Sequence, residues 1–107
     1  MKIEEVLEQM GIQPESSHHE SGPGQNEIDF RYSDPLMAAD NAVTFHTVVR
    51  TVAAQNGLCA NFSPKPLPDW DGNGMHINIS AQCDEAAQPL PSVIAGILEN
   101  IRDMTLF

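Results

Sequence analysis

The sequence predicts an α+β fold, a two-layer domain with an antiparallel sheet covered on one face by helices. Three observations carry this expectation. Apolar residues recur at helical spacing in three stretches bounded by proline or glycine. The segments between them alternate apolar and polar residues with period two, as strands with one buried face do. The order helix, strand, strand, helix, strand, strand, helix favours antiparallel pairing over parallel crossovers.

Residues 2 to 10 open the chain as a short amphipathic helix, with Ile3, Val6, Leu7 and Met10 on one face and Gly11 as its C-terminal cap. Residues 12 to 20 and 25 to 32 flank Gly22-Pro23-Gly24 and are expected to pair as a hairpin. In the second of these strands Ile28, Phe30 and Tyr32 point one way, and Glu27, Asp29 and Arg31 the other. A longer helix begins at Asp34-Pro35, where the aspartate can accept hydrogen bonds from free backbone N–H groups and proline is tolerated at the first helical position. It is expected to run to Gln55 or Asn56, with Ala38, Ala42, Phe45, Val49 and Val52 as its stripe and Gly57 as its stop. Residues 58 to 64 set Leu58, Ala60 and Phe62 against Cys59, Asn61 and Ser63, and residues 75 to 81 set Met75, Ile77 and Ile79 against His76, Asn78 and Ser80. Both read as strands, joined by a loop containing Pro66, Pro68, Gly72 and Gly74. After a polar loop at 83 to 90, a last helix follows Pro91 with its stripe at Ile94, Ile97, Leu98 and Ile101.

Composition narrows the function. A chain of 107 residues supports one domain with a modest core. Fifteen acidic against five basic residues give a formal charge of −10, which disfavours nucleic acid and anionic membranes as partners and suits divalent cations. No apolar run approaches the about 20 residues of a membrane span, and Met1-Lys2-Ile3-Glu4-Glu5 has no signal-peptide pattern, so a cytoplasmic protein is expected. Cys59 and Cys83 form no C-x-x-C pair and read as reduced structural residues.

The chemistry concentrates in two places. His18-His19-Glu20 and Glu27 crowd imidazoles and carboxylates around the Gly/Pro turn, and Asp69-Trp70-Asp71-Gly72-Asn73-Gly74 leads into the segment bearing His76. A turn that brings Glu20 and Glu27 together sets like charges side by side, which is costly unless a cation lies between them. Carboxylate oxygens with one imidazole suit Mg²⁺ or Mn²⁺ better than zinc. Spacing alone leaves a metal site and an ordinary solvated acidic face both open. His46 reads as a surface or packing histidine, and His18 and His19 as structural or outer-sphere residues. Trp70 is expected to pack against its Gly-rich loop, and Lys65 to orient carboxylates or remain solvated.

These segments resemble the catalytic domain of glutamine synthetase of the bacterial type I kind. That family carries an H-H-E-x-x-x-G-Q-x-E-I hairpin, an F-x-P-K-P segment and a G-x-G-M-H turn in this order, and here they read His18 to Ile28, Phe62 to Pro66 and Gly72 to His76. Ala39-Asp40-Asn41 and Ile94-Ala95-Gly96-Ile97-Leu98 also match family positions, so the similarity spans residues 1–107. The resemblance implies that Glu20 and Glu27 bind one divalent cation, Mg²⁺ or Mn²⁺, and His76 a second. It implies that Asp71 and Gly72 contact substrate glutamate, the family often having asparagine at the place of Asp71. Glu15, Tyr32, Asn78 and Ser80 match nucleotide-contacting positions, with Asn78 standing where many bacterial members have histidine. By strand parity, Glu15 and Glu20 face the same side only if a bulge intervenes, and Tyr32 falls on the core side with Ile28 and Phe30.

The family joins glutamate and ammonia to give glutamine at the expense of ATP, through a γ-glutamyl phosphate, in large homo-oligomeric rings. The family's upstream metal-binding glutamates, N-terminal domain and downstream phosphate-clamping arginines do not occur in these residues. The chain is therefore expected to be a catalytic-domain fragment, inactive alone and contributing no catalytic residue of its own. The alternative is a truncated module that binds metal or nucleotide or pairs with other subunits.

Overall fold

The computed structural model describes residues 3–81 and 89–104. The polar loop expected at 83 to 90 and Cys83 lie largely outside these residues. The chain forms two compact units, residues 1–74 and residues 75–107. The first holds helix α1 (Ile3–Gln9), strands β1 (Pro14–His19) and β2 (Asn26–Phe30), and helix α2 (Pro35–Gln55). The second holds helix α3 (Pro89–Met104). Antiparallel strands and helices together give the expected α+β class. No described helix is long and apolar enough to cross a membrane.

Both helices of the first unit end as the sequence predicts. At α1, Gly11 takes φ +84°, its N–H donates to the Glu8 carbonyl at 3.0 Å, and the Ile12 N–H donates to the Leu7 carbonyl at 2.9 Å. This is the paired closure of a left-handed glycine cap, with the apolar residues Leu7 and Ile12 at its two ends. Both are essentially fully buried and form half of the core. At α2, Asp34 caps the start by accepting from the Met37 N–H at 3.1 Å. Gly57, at φ +73°, ends it with donations from Gly57 to Ala54 and from Leu58 to Ala53. The remaining buried core residues are Val48 and Val52 of α2, with Ile3, Val6, Ile28, Phe30 and Phe45 packed around them. The core-facing stripe of α2 thus runs through Phe45, Val48 and Val52, one position off the expected Val49.

β1 and β2 pair antiparallel, with Ser17 opposite Ile28, His18 opposite Glu27 and His19 opposite Asn26. The register slips between Pro14 and Ser16, so Glu15 is the extra residue of a bulge. Ile28 and Phe30 lie toward the helices, and Phe30 meets Phe45 of α2 with ring centroids 5.6 Å apart. On the other face the Ser16 hydroxyl donates to Asp29 Oδ2 at 2.5 Å. Tyr32, expected on the core side, lies beyond the end of β2 and is 86% exposed.

The strands expected at 58 to 64 and 75 to 81 do not form among the described residues. In the first, carbonyls that a ladder would need are engaged by one side chain and its own backbone. Asn73 Nδ2 donates to the Ser63 carbonyl at 2.8 Å and the Asn61 carbonyl at 3.4 Å, and the Asn73 N–H donates to the Pro64 carbonyl at 2.8 Å. Pro64 and Pro66 have no N–H to contribute, and the Ser63 N–H turns back to Asn61 Oδ1 at 2.9 Å. Phe62 docks on α2, stacked on His46 at 3.8 Å with the Arg50 guanidinium 5.6 Å from its ring centre. Residues 75 to 81 take no regular secondary structure, and Met75, Ile77 and Ile79 are exposed. The alternation is present there, yet a strand exists only where a neighbour takes its backbone hydrogen bonds. Helix α3 starts two residues earlier than expected, and Ile94, Leu98 and Ile101 of its stripe are exposed.

Residues 61 to 74 form a closed loop. Lys65 Nζ donates to the Trp70 carbonyl at 2.5 Å, so this lysine serves the loop backbone and not a carboxylate. Gly72 is there for room, because a Cβ on it would stand 2.5 Å from the Pro64 carbonyl oxygen.

Two sets of substitutions test this account. Gly11→Ala and Gly57→Ala, at positive φ, should each lower stability by about 1–2 kcal/mol, read from urea midpoints, whereas Gly96→Ala inside α3, where nothing lies within 4 Å, should stabilise its helix by up to about 1 kcal/mol. Gly72→Ala should push the loop open and speed hydrogen exchange at the Asn73 amide by about tenfold or more, since overpacking costs about 1–3 kcal/mol. An unchanged exchange rate would show that the Pro64 carbonyl yields freely.

Candidate functional site

The site begins with a turn. The Gln25 N–H donates to the Gly22 carbonyl at 3.0 Å, closing Gly22-Pro23-Gly24-Gln25, and Gly24 takes φ +72°. Proline in second place and a left-handed glycine in third make this a type II turn, which few other residue pairs would fit as well. The next ladder bond, from the Glu20 N–H to the Gln25 carbonyl at 3.1 Å, extends the pairing beyond His19 and sets Glu20 at the mouth of the hairpin.

That register gathers three ligand-bearing side chains on the polar face. His18 Nε2 lies 2.8 Å from Glu20 Oε1 and 3.9 Å from Glu27 Oε2. One ligand atom from each falls within 4.8 Å of the other two. An octahedral Mg²⁺ with bonds of about 2.1 Å spaces adjacent ligands about 3 Å and opposite ligands about 4.2 Å apart, so the donor set fits part of such a shell. The side chains are 48%, 34% and 45% exposed for His18, Glu20 and Glu27. A cation can reach them from solvent, and as bare surface pairs they would contribute only about 0–1 kcal/mol to folding. Their arrangement is not explained by stability.

His18, expected to be structural or outer-sphere, stands within this cluster. The signal was available in the hairpin arithmetic, since a turn closing Glu20 onto Gln25 sets His18 opposite Glu27. Glu15 is exposed at the bulge that parity demanded if it is to share a side with Glu20. Tyr32 is exposed beside the hairpin's end.

The Gly-rich loop meets the hairpin through Gln25, whose Nε2 donates to the Gly72 carbonyl at 3.1 Å and to Asn73 Oδ1 at 2.9 Å. Gly72 is thereby held at the turn between Glu20 and Glu27, while the Asp71 side chain is exposed. No pattern in the sequence marked Gln25 or Asn73 as the joint. His76, Asn78 and Ser80 belong to the second unit and are exposed. His46 is occupied by stacking, as a packing histidine. Cys59 is an exposed free thiol.

The family described as glutamine synthetase, catalytic domain, matches residues 1–107. A glutamine synthetase of Clostridium saccharobutylicum is 46% identical over 92% of the chain, and one of Methanosarcina mazei 44% identical over 96%. One of Staphylococcus aureus is 54% identical over 69% of the chain. The chain spans about a quarter of the length of the first two, 25% and 26%. With the hairpin, the Gly-rich loop and a match along its whole length, the chain belongs to the glutamine synthetase catalytic-domain family.

Proposed function

We propose that residues 1–107 are one stretch of the catalytic domain of a cytoplasmic ligase that joins glutamate and ammonia to give glutamine, using ATP and passing through a γ-glutamyl phosphate. The observation that carries this reading is the convergence of Glu20, Glu27 and His18 at one hairpin mouth, inside a family that the whole chain matches. In it, Glu20 and Glu27 hold one divalent cation, Mg²⁺ or Mn²⁺, with His18 beside them, and His76 serves a second. Bound there, the cations would neutralise charge on the transferring phosphoryl group.

The remaining roles belong to positioning. Asp71 and Gly72 meet substrate glutamate, and the docking of Gly72 on the hairpin turn supports that assignment because it sets the loop beside the carboxylates. Glu15, Tyr32, Asn78 and Ser80 contact the nucleotide. The bulge at Glu15 supports its share, and the exposed ring of Tyr32 is free to stack on a base. Asn78 is an amide, so its role there is hydrogen bonding and not charge. In the complete protein, copies of the chain assemble into a homo-oligomeric ring.

This reading makes the purified 107-residue chain a poor catalyst. Its arginines are Arg31, Arg50 and Arg102, and none stands in a phosphate-clamping motif, while removal of even one stabilising donor from a reacting group typically costs about 10²–10³ in rate. A γ-glutamyl transfer assay with Mn²⁺ and ATP should give less than a hundredth of the turnover of a complete relative, and turnover within about tenfold would defeat the expectation. Two carboxylates and an imidazole supply few of the six ligands a hard cation prefers. Calorimetric titration with Mn²⁺ should therefore give a dissociation constant no tighter than about 10⁻⁴ M, equivalent to about 5.5 kcal/mol. Glu20→Ala/Glu27→Ala should abolish the binding, and a double variant that binds as the parent does would move the metal elsewhere.

A further inference from the structure

Gln25 lies in the turn between the two carboxylates, and both of its amide ends are engaged. Oε1 accepts from the Gly22 N–H at 3.0 Å, which leaves Nε2 as the donor that reaches the Gly72 carbonyl and Asn73 Oδ1. Asn73 is oriented in the same way. Its Nδ2 donates to the Ser63 and Asn61 carbonyls, so Oδ1 must face Gln25 as acceptor. Backbone groups at either end thus fix the direction of both amides, and the hydrogen bonds run one way, from the Gly22 N–H through Gln25 and Asn73 to the Ser63 carbonyl. Among the described residues, both side-chain hydrogen bonds that join this loop to the hairpin start from Gln25 Nε2, across 47 and 48 positions of sequence. The loop residues Asp69, Trp70, Asp71 and Gly72 are themselves exposed, so apolar burial does little to hold them there. The main chain of Gln25 meanwhile bonds Glu20 through its carbonyl and leads directly to Glu27.

We propose that Gln25 and Asn73 are positioning residues that latch the Gly-rich loop to the carboxylate hairpin, so that cation occupancy at Glu20 and Glu27 is transmitted to residues 70–73. The inference rests on the metal assignment proposed above and adds a mechanical link to it. A cation drawing Glu20 and Glu27 together acts on the residues flanking the turn. Gln25 cannot shift with them without moving the Gly72 carbonyl and the Asn73 side chain, and through the Lys65–Trp70 bond the rest of the loop follows.

Trp70 is the single tryptophan of the chain, sits in this loop and is half-exposed, which makes it a built-in reporter. The test uses the 107-residue chain and two independent readings. Mn²⁺ binding is followed by water-proton relaxation, and Trp70 emission and acrylamide quenching are followed during titration with Mg²⁺. The parent should show a saturable Trp70 change that Glu20→Ala/Glu27→Ala abolishes. Gln25→Met removes the latch at nearly constant volume, and Gln25→Glu removes the donor while keeping an acceptor for the Gly22 N–H. Each should bind Mn²⁺ within about threefold of the parent yet lose at least about four fifths of the Trp70 response. Gln25→Glu, with the turn cap intact, carries the comparison if Gln25→Met does not fold, as judged by circular dichroism. A residue of merely structural importance would lower affinity and response together, and that result overturns the proposal. So does a Trp70 response retained in both variants, or a parent that binds Mn²⁺ while Trp70 stays silent. A parent that binds no Mn²⁺ at all defeats the metal assignment itself, and the latch with it, and is told apart by the relaxation titration alone.

Discussion

Everything at the candidate site depends on one hydrogen bond, from the Gln25 N–H to the Gly22 carbonyl, and on the two residues that make it geometrically easy. Pro23 presets its own φ, and Gly24 adopts a left-handed conformation that a side chain would resist. Once this turn closes, strand register follows, because each side chain's face is determined by its distance from the turn. A slip of one residue would send His18 and Glu27 toward the helices and Ile28 toward solvent. The apolar face of the hairpin and its charged face therefore enforce the same register from opposite sides. Burial of Ile28 and Phe30 against α1 and α2 holds the ligand cluster in place without touching it.

The core that does this work is small. Leu7, Ile12, Val48 and Val52 are its buried members, and the first two flank a glycine cap. The end of α1 and the start of the hairpin are thus one structural event: the cap turns the chain, buries Ile12 and delivers β1. Ser17 adds a side-chain hydrogen bond to Glu4 on the first turn of α1. A functional hairpin resting on so few apolar residues is sensitive to substitutions far from its carboxylates.

Local features were the most legible in the sequence. Asp34-Pro35, Gly11 and Gly57 marked helix ends to within a residue or two, because caps act through groups adjacent in the chain. The hairpin was legible for the same reason, and the bulge found at Glu15 is the one that strand parity requires if Glu15 and Glu20 are to share a side. The segments at 58 to 64 and 75 to 81 carry good alternation but no ladder, since alternation records which face a strand would bury and says nothing of whether a partner is at hand. Asn73 was invisible for a related reason: its importance lies in four contacts to distant parts of the chain, and one asparagine among glycines looks like any turn residue. The roles expected for Tyr32, His76, Asn78 and Ser80, beyond the hairpin, rested on family likeness, because no local rule distinguishes Ser80 or Tyr32 from ordinary surface residues.

The loop from Asn61 to Gly74 has one more property. It contains Pro64, Pro66 and Pro68, and Lys65 and Asn73 tie its carbonyls from within. Three fixed φ angles and these internal bonds mean that most of the backbone disorder such a stretch would have is already gone before anything binds. Any molecule that docked on this loop would meet carbonyls and N–H groups whose directions are set in advance. Little configurational entropy remains to be lost at that moment, so weak individual contacts on this loop can add up to selective recognition.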